Sequence, residues 1–586
     1  MNIQLKELAL GGNLTTFKPK LNLANIFRRD SSALVIVLVV AFLALTLSWD
    51  LLDHATQSWD QSNYLNITWR YQLALSKGGL SGLVDSIYRS DPGQAPLFTV
   101  EMLPFFYLVR EKALSGFLVD LFFVPILLLS AAGIAGRLFK RPCARPLAVV
   151  FTGTMPLMIG LSHAVLQDYS LATLAALTLY LLIRTDFFTK RLFSLGFAFA
   201  AAAGTLTKVT FPLFVLGPIM LVVIKIISTR GNASEGDSNE SRLRWCQVRL
   251  ISETTALYLL LIGIWYVPNA AATYTYFRST TSGPLALGAG PTNPFTFHAI
   301  LGFSLGMVNN DISWIIVIAL VLSYALLLVR KRFRNIFVSQ GFNLIWLTLW
   351  FIIPYLTLVF GHNQDVRLIA PAMPSLTIAL AGIIAINPSR IIRVFVSIVS
   401  GSLLVSQMFS HTANLSGLNS LQQLTLSYGG TSANLLVPSD IPIGYESVPS
   451  KTNYMAPVLR YLETEISTRH RGSSPVCMLE SDPIVNGNTV GFLLESQGYQ
   501  NIVLEITTGS NGSVGLQQTL SQCTFALYVR QPETSKISSQ SRLVLVNNSF
   551  ASDFMTSSDL ALFSGPNKIF PIGAGQFVTV YSTAVR

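Results

Sequence analysis

The sequence predicts an all-α polytopic membrane bundle of about eleven spans, followed by an extracytoplasmic α/β domain. Three observations carry that prediction. Of 586 residues, 51% are apolar and only 12% are charged, and the mean hydropathy of +0.51 lies well above that of soluble chains. Apolar windows long enough to cross a bilayer recur from residue 31 to residue 410, and a crossing helix needs about twenty such residues. Beyond residue 410 hydropathy falls, and Ser, Thr, Asn and Gly become frequent.

Residues 1–30 read as a cytoplasmic N-terminal segment carrying Lys18, Lys20, Arg28 and Arg29. The first window, 31–49, ends in "SWD" instead of a small-residue cleavage site, so it is expected to remain as a span. Further windows fall at 116–136, 146–162, 169–185, 193–207, 209–227, 252–267, 312–330, 342–360, 367–387 and 391–410. Basic residues gather after alternate windows, as in Arg137, Lys140, Arg141 and Arg145, then Arg184, Lys190 and Arg191, then Arg230, Arg242, Arg244 and Arg249. Arg330, Lys331, Arg332 and Arg334, then Arg390 and Arg393, continue the series. The positive-inside rule makes these clusters cytoplasmic, with the N-terminus inside and the C-terminus outside. The net charge of +11 is thus spread over loops between spans and forms no basic face, which argues against a nucleic-acid partner.

This parity gathers the informative polar residues in one compartment. Outside lie the long first loop 50–115, the hinge "LSHAVLQDYS", the loop 268–311 and the segment "GHNQDVRLIAP". Within the first loop, residues 64–80 look helical. The apolar part of "SDPGQAPLFTVEMLPFFYLVR", broken by Pro, Gly and Glu101, is expected to lie along the membrane surface. In the domain 411–586, "NYMAPVLRYLETEIS" has helical periodicity. The runs "SPVCMLE", "NIVLEIT", "CTFALYVR", "SRLVLVNN" and "QFVTVYS" read as strands. Cys143, Cys246, Cys477 and Cys523 have no metal-ligand spacing. Core packing is the expected role of Cys477 and Cys523, with a disulfide as the alternative.

Several charged residues stand out against the apolar background. Asp60, between Trp59 and Trp69 just beyond the first span, is placed to accept a proton from a hydroxyl, since the membrane edge offers partial desolvation. Asp50 and Asp53, nearer the helix end, read as surface acids. Asp168 heads a span, where it could cap the helix or shape a site, and His163 nearby is a lesser candidate. Lys208 interrupts a long apolar stretch, and an intramembrane base either snorkels or meets an anion. Arg367 opens a span just after His362 and Asp365, where an ion pair with Asp365 competes with phosphate binding. Trp265 and Tyr266 read as interfacial anchors, while Tyr274, Tyr276 and Arg278 lie further into the outer loop, within reach of a substrate. Sequons occur at Asn66, Asn414, Asn511 and Asn547.

Taken in order, "DQSNYLNITWRYQLALSKGGL", "QAPLFTVEMLP", "LQDYSLATLAALTLYLLIR", "GTLTK", "WYVPN" and "VRLIAPAMPSLTIAL" resemble the polytopic GT-C glycosyltransferases. The nearest likeness is to the protein mannosyltransferase and aminoarabinose transferase branch, over about residues 30–390. The resemblance implies transfer of a sugar from a polyprenyl- or dolichyl-phosphate carrier to an acceptor on the outer face, by inverting displacement. Asp60 would be the base, Asp168 a second acid, and Lys208 and Arg367 the groups near the lipid phosphate. Apart from the resemblance, His362 and Arg278 are further candidate substrate contacts by their place in the outer segments. The chain departs from the pattern at Gln61, where the family often has Glu, and at Gln94-Ala95, where it has His-Pro or Pro. Those departures leave the donor sugar and any divalent metal open. A protein, glycolipid or polysaccharide acceptor fits equally. The rival classes are a lipid or sugar transporter or flippase, and a non-catalytic membrane scaffold.

Overall fold

The computed structural model describes residues 31–109, 112–230, 238–283, 286, 290–329, 340–387, 389–412, 425–428, 431–434, 453–469, 474–479, 485–499, 503–505, 523–530, 563–573 and 576–583. The first span is α1 (Ser31–Leu52). Two helices of the first loop follow, α2 (Trp59–Ser90) and α3 (Leu97–Leu108). α2 bends at Gly79, whose φ of 60° suits a residue without a Cβ. It begins five residues before the expected helical stretch, which puts Asp60 in its first turn.

The bundle continues with α4 (Lys112–Phe139), α5 (Ala144–Gly153), α6 (Pro156–Ser162), α7 (Gln167–Arg184), α8 (Arg191–Thr207) and α9 (Phe211–Arg230). Then come α10 (Ser238–Tyr266), α11 (Ala270–Thr281), α12 (Phe297–Gly306) with a wider turn at Met307–Ile312, α13 (Trp314–Val329) and α14 (Gly341–Val359). A tight helical turn, Val366–Ala372, leads into α15 (Pro374–Ile386), and α16 (Arg390–Thr412) closes the bundle.

Among the described residues, six helices are long and apolar enough to cross a membrane, or nine if each bent pair counts as one span. The bends are 62° between α5 and α6, 100° between α12 and α13, and 50° between the turn Val366–Ala372 and α15. The chain is a multi-pass membrane protein. The count falls short of eleven because two expected windows coincide with α7 and α8. α7 opens with Gln167 and Asp168 and is buried along most of its length, and α8 has 17 residues. A helix enclosed by other helices meets little lipid and needs no fully apolar surface.

The interior is built from α4, α5, α7 and α15, where Leu127, Ala131, Ala148, Phe151, Ala172, Leu179, Ile378 and Ala381 are fully buried. Small side chains let these backbones approach closely.

Past the bundle lie a hairpin, β1 (Thr425–Tyr428) with β2 (Thr431–Asn434), and then α17 (Ala456–Arg469). There follow β3 (Val476–Met478), α18 (Gly487–Ser496), β4 (Val503–Glu505), β5 (Phe525–Arg530), β6 (Phe563–Gly573) and β7 (Gln576–Thr583). The five-stranded sheet runs β4-β3-β5-β7-β6, with β4, β3 and β5 parallel and β7 and β6 antiparallel. Four of the five expected strands appear, and the fifth, at 541–548, lies outside the described residues. Cys477 and Cys523 form a disulfide with Cα atoms 5.8 Å apart, so the core-packing expectation gives way to the alternative. Neighbouring strands β3 and β5 bring the two thiols together.

Candidate functional site

Two ion pairs define the site, and each joins residues that sequence alone singled out separately. Arg367 Nη2 donates to Asp60 Oδ2 at 2.6 Å. Its Nε lies 2.8 Å from Asp365 Oδ2, while its main-chain N–H donates to Asp365 Oδ1 at 3.1 Å. Asp365 therefore caps the turn that carries Arg367 and shares its charge. Lys208 Nζ donates to Asp168 Oδ1 at 2.9 Å. The pairs differ in exposure: the side chain of Asp60 is 48% exposed, that of Asp168 only 3%.

Local structure explains why each group projects where it does. Lys208 ends α8 in extended conformation, one step past its last helical residue. The ring of Phe211 occupies the space a Cβ on Gly204 would need, so that glycine lets the chain fold back tightly at "GTLTK". Tyr266 Oη donates to Thr205 O at 2.5 Å and pins the same helix end from α10. Asp168 lies in the first turn of α7, yet no side chain caps that helix; its carboxylate serves Lys208 instead. Gln61, beside Asp60, reaches across to the hinge: its Oε1 accepts Val165 N–H at 2.9 Å and its Nε2 donates to Ser58 Oγ at 3.2 Å. An amide can do both at once, which gives Gln61 a structural use.

Tyr64 and Tyr276 both feel charges from the two pairs. Burial pushes the Tyr64 hydroxyl well above its usual range, and Asp60, Tyr276 and Asp168 add to this while Arg367 opposes it. Tyr276 on α11 is raised by burial first, then by Asp60 and Asp91, with Arg367 opposing and Asp168 adding. The sheltered phenols therefore stay protonated and can donate hydrogen bonds. Loop contacts hold α11 in place, since Asn363 Nδ2 donates to Thr280 O at 3.2 Å and the chain at Gly290 packs on the backbone of His362.

The structure does not bring every candidate in. Arg278 is exposed on α11, outside the two ion pairs, and the buried His362 Nδ1 has no hydrogen-bond partner among the described residues. Asp50 and Asp53 are 2% and 9% exposed, so neither is the surface acid expected from its place at a helix end. Trp265, 2% exposed and in ring contact with Tyr88, is interior instead of an interfacial anchor. His163 stacks on Trp49 with centroids 4.0 Å apart. Asn66 is buried within α2, where no glycan could be attached. Among the described residues no group of three or more His, Cys, Asp or Glu side chains is placed to hold a metal ion. Tyr64 was missed by sequence reasoning, although its place one turn after Asp60 on a helix could have signalled it.

The spans, the two helices that follow the first span and the C-terminal sheet domain together share their fold with a solved membrane protein. The crystal structure of ArnT from Cupriavidus metallidurans bound to undecaprenyl phosphate matches with a TM-score of 0.50 and 12% identity, covering 93% of this chain and 97% of that one. The same protein in the apo state gives 0.48 at 13% identity, covering 92% and 97%. The cryo-EM structure of the arabinofuranosyltransferase AftD from Mycobacteria gives 0.49 at 13%, covering 94% of this chain and 40% of the other. At such identity the likeness is one of fold. No protein-family profile matches the sequence, and no curated protein sequence is similar to it.

Proposed function

We propose that the protein is an integral-membrane glycosyltransferase that moves a sugar from a polyprenyl-phosphate carrier to an acceptor hydroxyl outside the cytoplasm. The observation that carries this reading is two acid–cation pairs, Asp60 with Arg367 and Asp168 with Lys208, on elements that pack together, the turn Val366–Ala372 lying against α7. Arg367 offers a planar fork and Lys208 a point charge with donors to spare, a combination suited to a phosphate.

In the proposed reaction Asp60 accepts the proton of the acceptor hydroxyl. The oxygen attacks the anomeric carbon as the bond from that carbon to the phosphate oxygen breaks, and the polyprenyl phosphate leaves with the bonding electrons toward Arg367 and Lys208. One displacement inverts the anomeric centre. The ion pair supplies an ordering device, because a phosphate that takes over the Arg367 guanidinium releases Asp60 Oδ2 to act as base. Asp168 holds Lys208 in place, and the two phenols are available to orient sugar oxygens.

The cysteines support placing this site and residues 411–586 on the extracytoplasmic side. Disulfides persist in oxidising compartments, and Cys477–Cys523 lies in the C-terminal domain. Cys143 and Cys246, at connections expected inside, are free thiols. One observation favours a transporter instead: the three broken spans, a feature such proteins use at substrate sites.

Reconstitution with radiolabelled undecaprenyl-phosphate sugars separates the two readings. Appearance of label in a non-lipid or glycolipid product supports transfer. Label that crosses the bilayer while still attached to its carrier supports transport and removes the enzymatic reading.

A further inference from the structure

The first turn of α2 lacks the device that usually fastens a helix start. Ser58 is its capping residue, yet its side chain makes no capping hydrogen bond, and helix ends with unsatisfied groups fray readily. Asp60 sits in that turn. Bundle contacts through Gln61, Ser62 and Arg367 hold it from one side, and the C-terminal domain holds it from the other. The carbonyl oxygen of Gln57 accepts from Ser62 Oγ at 2.8 Å and from Thr489 Oγ1 at 3.1 Å. Thr489 is fully buried on α18, where Asn486 Oδ1 accepts its main-chain N–H at 3.0 Å and lies 3.2 Å from its hydroxyl. Beside this, Thr56 Oγ1 donates to Asn453 Oδ1 at 3.0 Å. Beyond Asp60, Arg70 makes a paired contact with Glu495 of α18, Nε to Oε2 at 3.2 Å and Nη2 to Oε1 at 2.9 Å. Val490 and Leu494 root α18 in the domain core with Val476, Phe525 and Val580.

We propose that α18 is a positioning element for the reaction centre, holding the start of α2 from both sides so that Asp60 keeps its register with Arg367. The role rests on the reading of Asp60 as proton acceptor. Thr489 supplies a hydroxyl to the last main-chain carbonyl before the helix cap, and Glu495 fixes the helix two to three turns further on.

The test uses the full chain in nanodiscs, with Thr489→Val, which keeps the shape and removes the hydroxyl, and Thr489→Ser, which restores it. Hydrogen exchange is followed at 57–66 and 365–370, together with steady-state transfer from undecaprenyl-phosphate-linked sugar. The Val variant is expected to exchange faster in both segments and to lose about tenfold in turnover, while the donor KM stays within about twofold. The Ser variant should match the wild type in both readouts. Should the Val chain fail to accumulate, Glu495→Gln, which breaks the pair with Arg70 without opening the core, is read the same way. Wild-type exchange at 57–66 in the Val variant, or faster exchange there with unchanged turnover, overturns the proposal. A wild-type chain that transfers no sugar refutes the proposed function, and exchange then decides alone: faster in Val than in Ser supports positioning, and equal rates end it.

Discussion

Asp60 and Arg367, 307 positions apart in the chain, meet at 2.6 Å between Oδ2 and Nη2. The proposed base and a proposed phosphate-binding cation are therefore counter-ions of one another. A change at either one is felt at the other, and this coupling shapes the first two expectations.

Asp60→Asn should reduce sugar transfer by about 100- to 10,000-fold, because an amide cannot accept the proton. Removing the carboxylate also frees the guanidinium, so undecaprenyl phosphate should bind the variant at least as tightly as the wild type. Binding measured alongside transfer checks both halves. A variant that transfers normally, or that loses binding along with transfer, removes Asp60 from the base role.

Arg367→Met and Lys208→Met should each weaken undecaprenyl-phosphate binding, by the roughly 1.5–3 kcal/mol of a charge-assisted hydrogen bond. Their effects on stability should differ. Asp168 is only 3% exposed, so Lys208→Met leaves a buried charge without its partner, a defect that costs about 3–5 kcal/mol. Adding Asp168→Asn to Lys208→Met should restore folding without restoring binding. Thermal unfolding in detergent reports the first effect, and equal stability of Lys208→Met and wild type would show that Asp168 does not depend on the lysine.

Cys143 and Cys246 are exposed free thiols. A membrane-impermeant maleimide should label both only after permeabilisation, while Cys477 and Cys523, buried as well as bonded, should react from outside only after reduction and unfolding of their domain. Labelling of Cys143 or Cys246 in intact cells would reverse the proposed topology.

Asp91, at the end of α2, has its carboxyl raised by burial, against hydrogen bonds from Gly93 and Gln94 that pull the other way. A raised folded-state value means the protonated form is favoured in the folded protein. Its stabilising contribution is complete below the unfolded value of about 3.9 and is lost as pH rises through the folded one. Asp91→Asn should therefore stabilise the protein near neutral pH and change little near pH 4, as melting curves at the two pH values would show. A stabilisation independent of pH would trace the effect to packing.

Much of the bundle is legible in the sequence because lipid imposes a simple rule: a run of apolar residues of fixed length, ended by charge. α1, α4, α9, α14 and α16 follow it closely. The rule weakens where protein replaces lipid, as at α7, whose polar start and enclosed flanks place it in the interior. In the C-terminal domain, α18 was hidden by the glycines and β-branched residues of "GNTVGFLLES", which argue locally against a helix that Asn486 then caps. β6 was hidden by the glycines and prolines of "FSGPNKIFPIG", which the strand absorbs as register shifts.

The candidate site was legible as residue types: Asp168 and Lys208 are costly where they stand, and Asp60 and Arg367 stand out by their place at the ends of apolar runs. Which acid meets which cation was not legible, because each pairing depends on the fold bringing distant segments together. Gln61 shows the same limit: its amide looked like a departure from a pattern, and only the hinge at Val165 gives it a use.

The disulfide carries a consequence for biogenesis. Cys477 and Cys523 are separated by 46 positions, and closing a loop of that length withdraws about 4 kcal/mol of freedom from the unfolded domain. A chain whose tail emerges into an oxidising space gains that contribution only after translocation, when the spans are already inserted. Maturation would then proceed in two stages, insertion of the bundle first and oxidation of the exported domain second. On the proposed topology, a newly made chain would take its place in the membrane before its C-terminal domain had gained that stability.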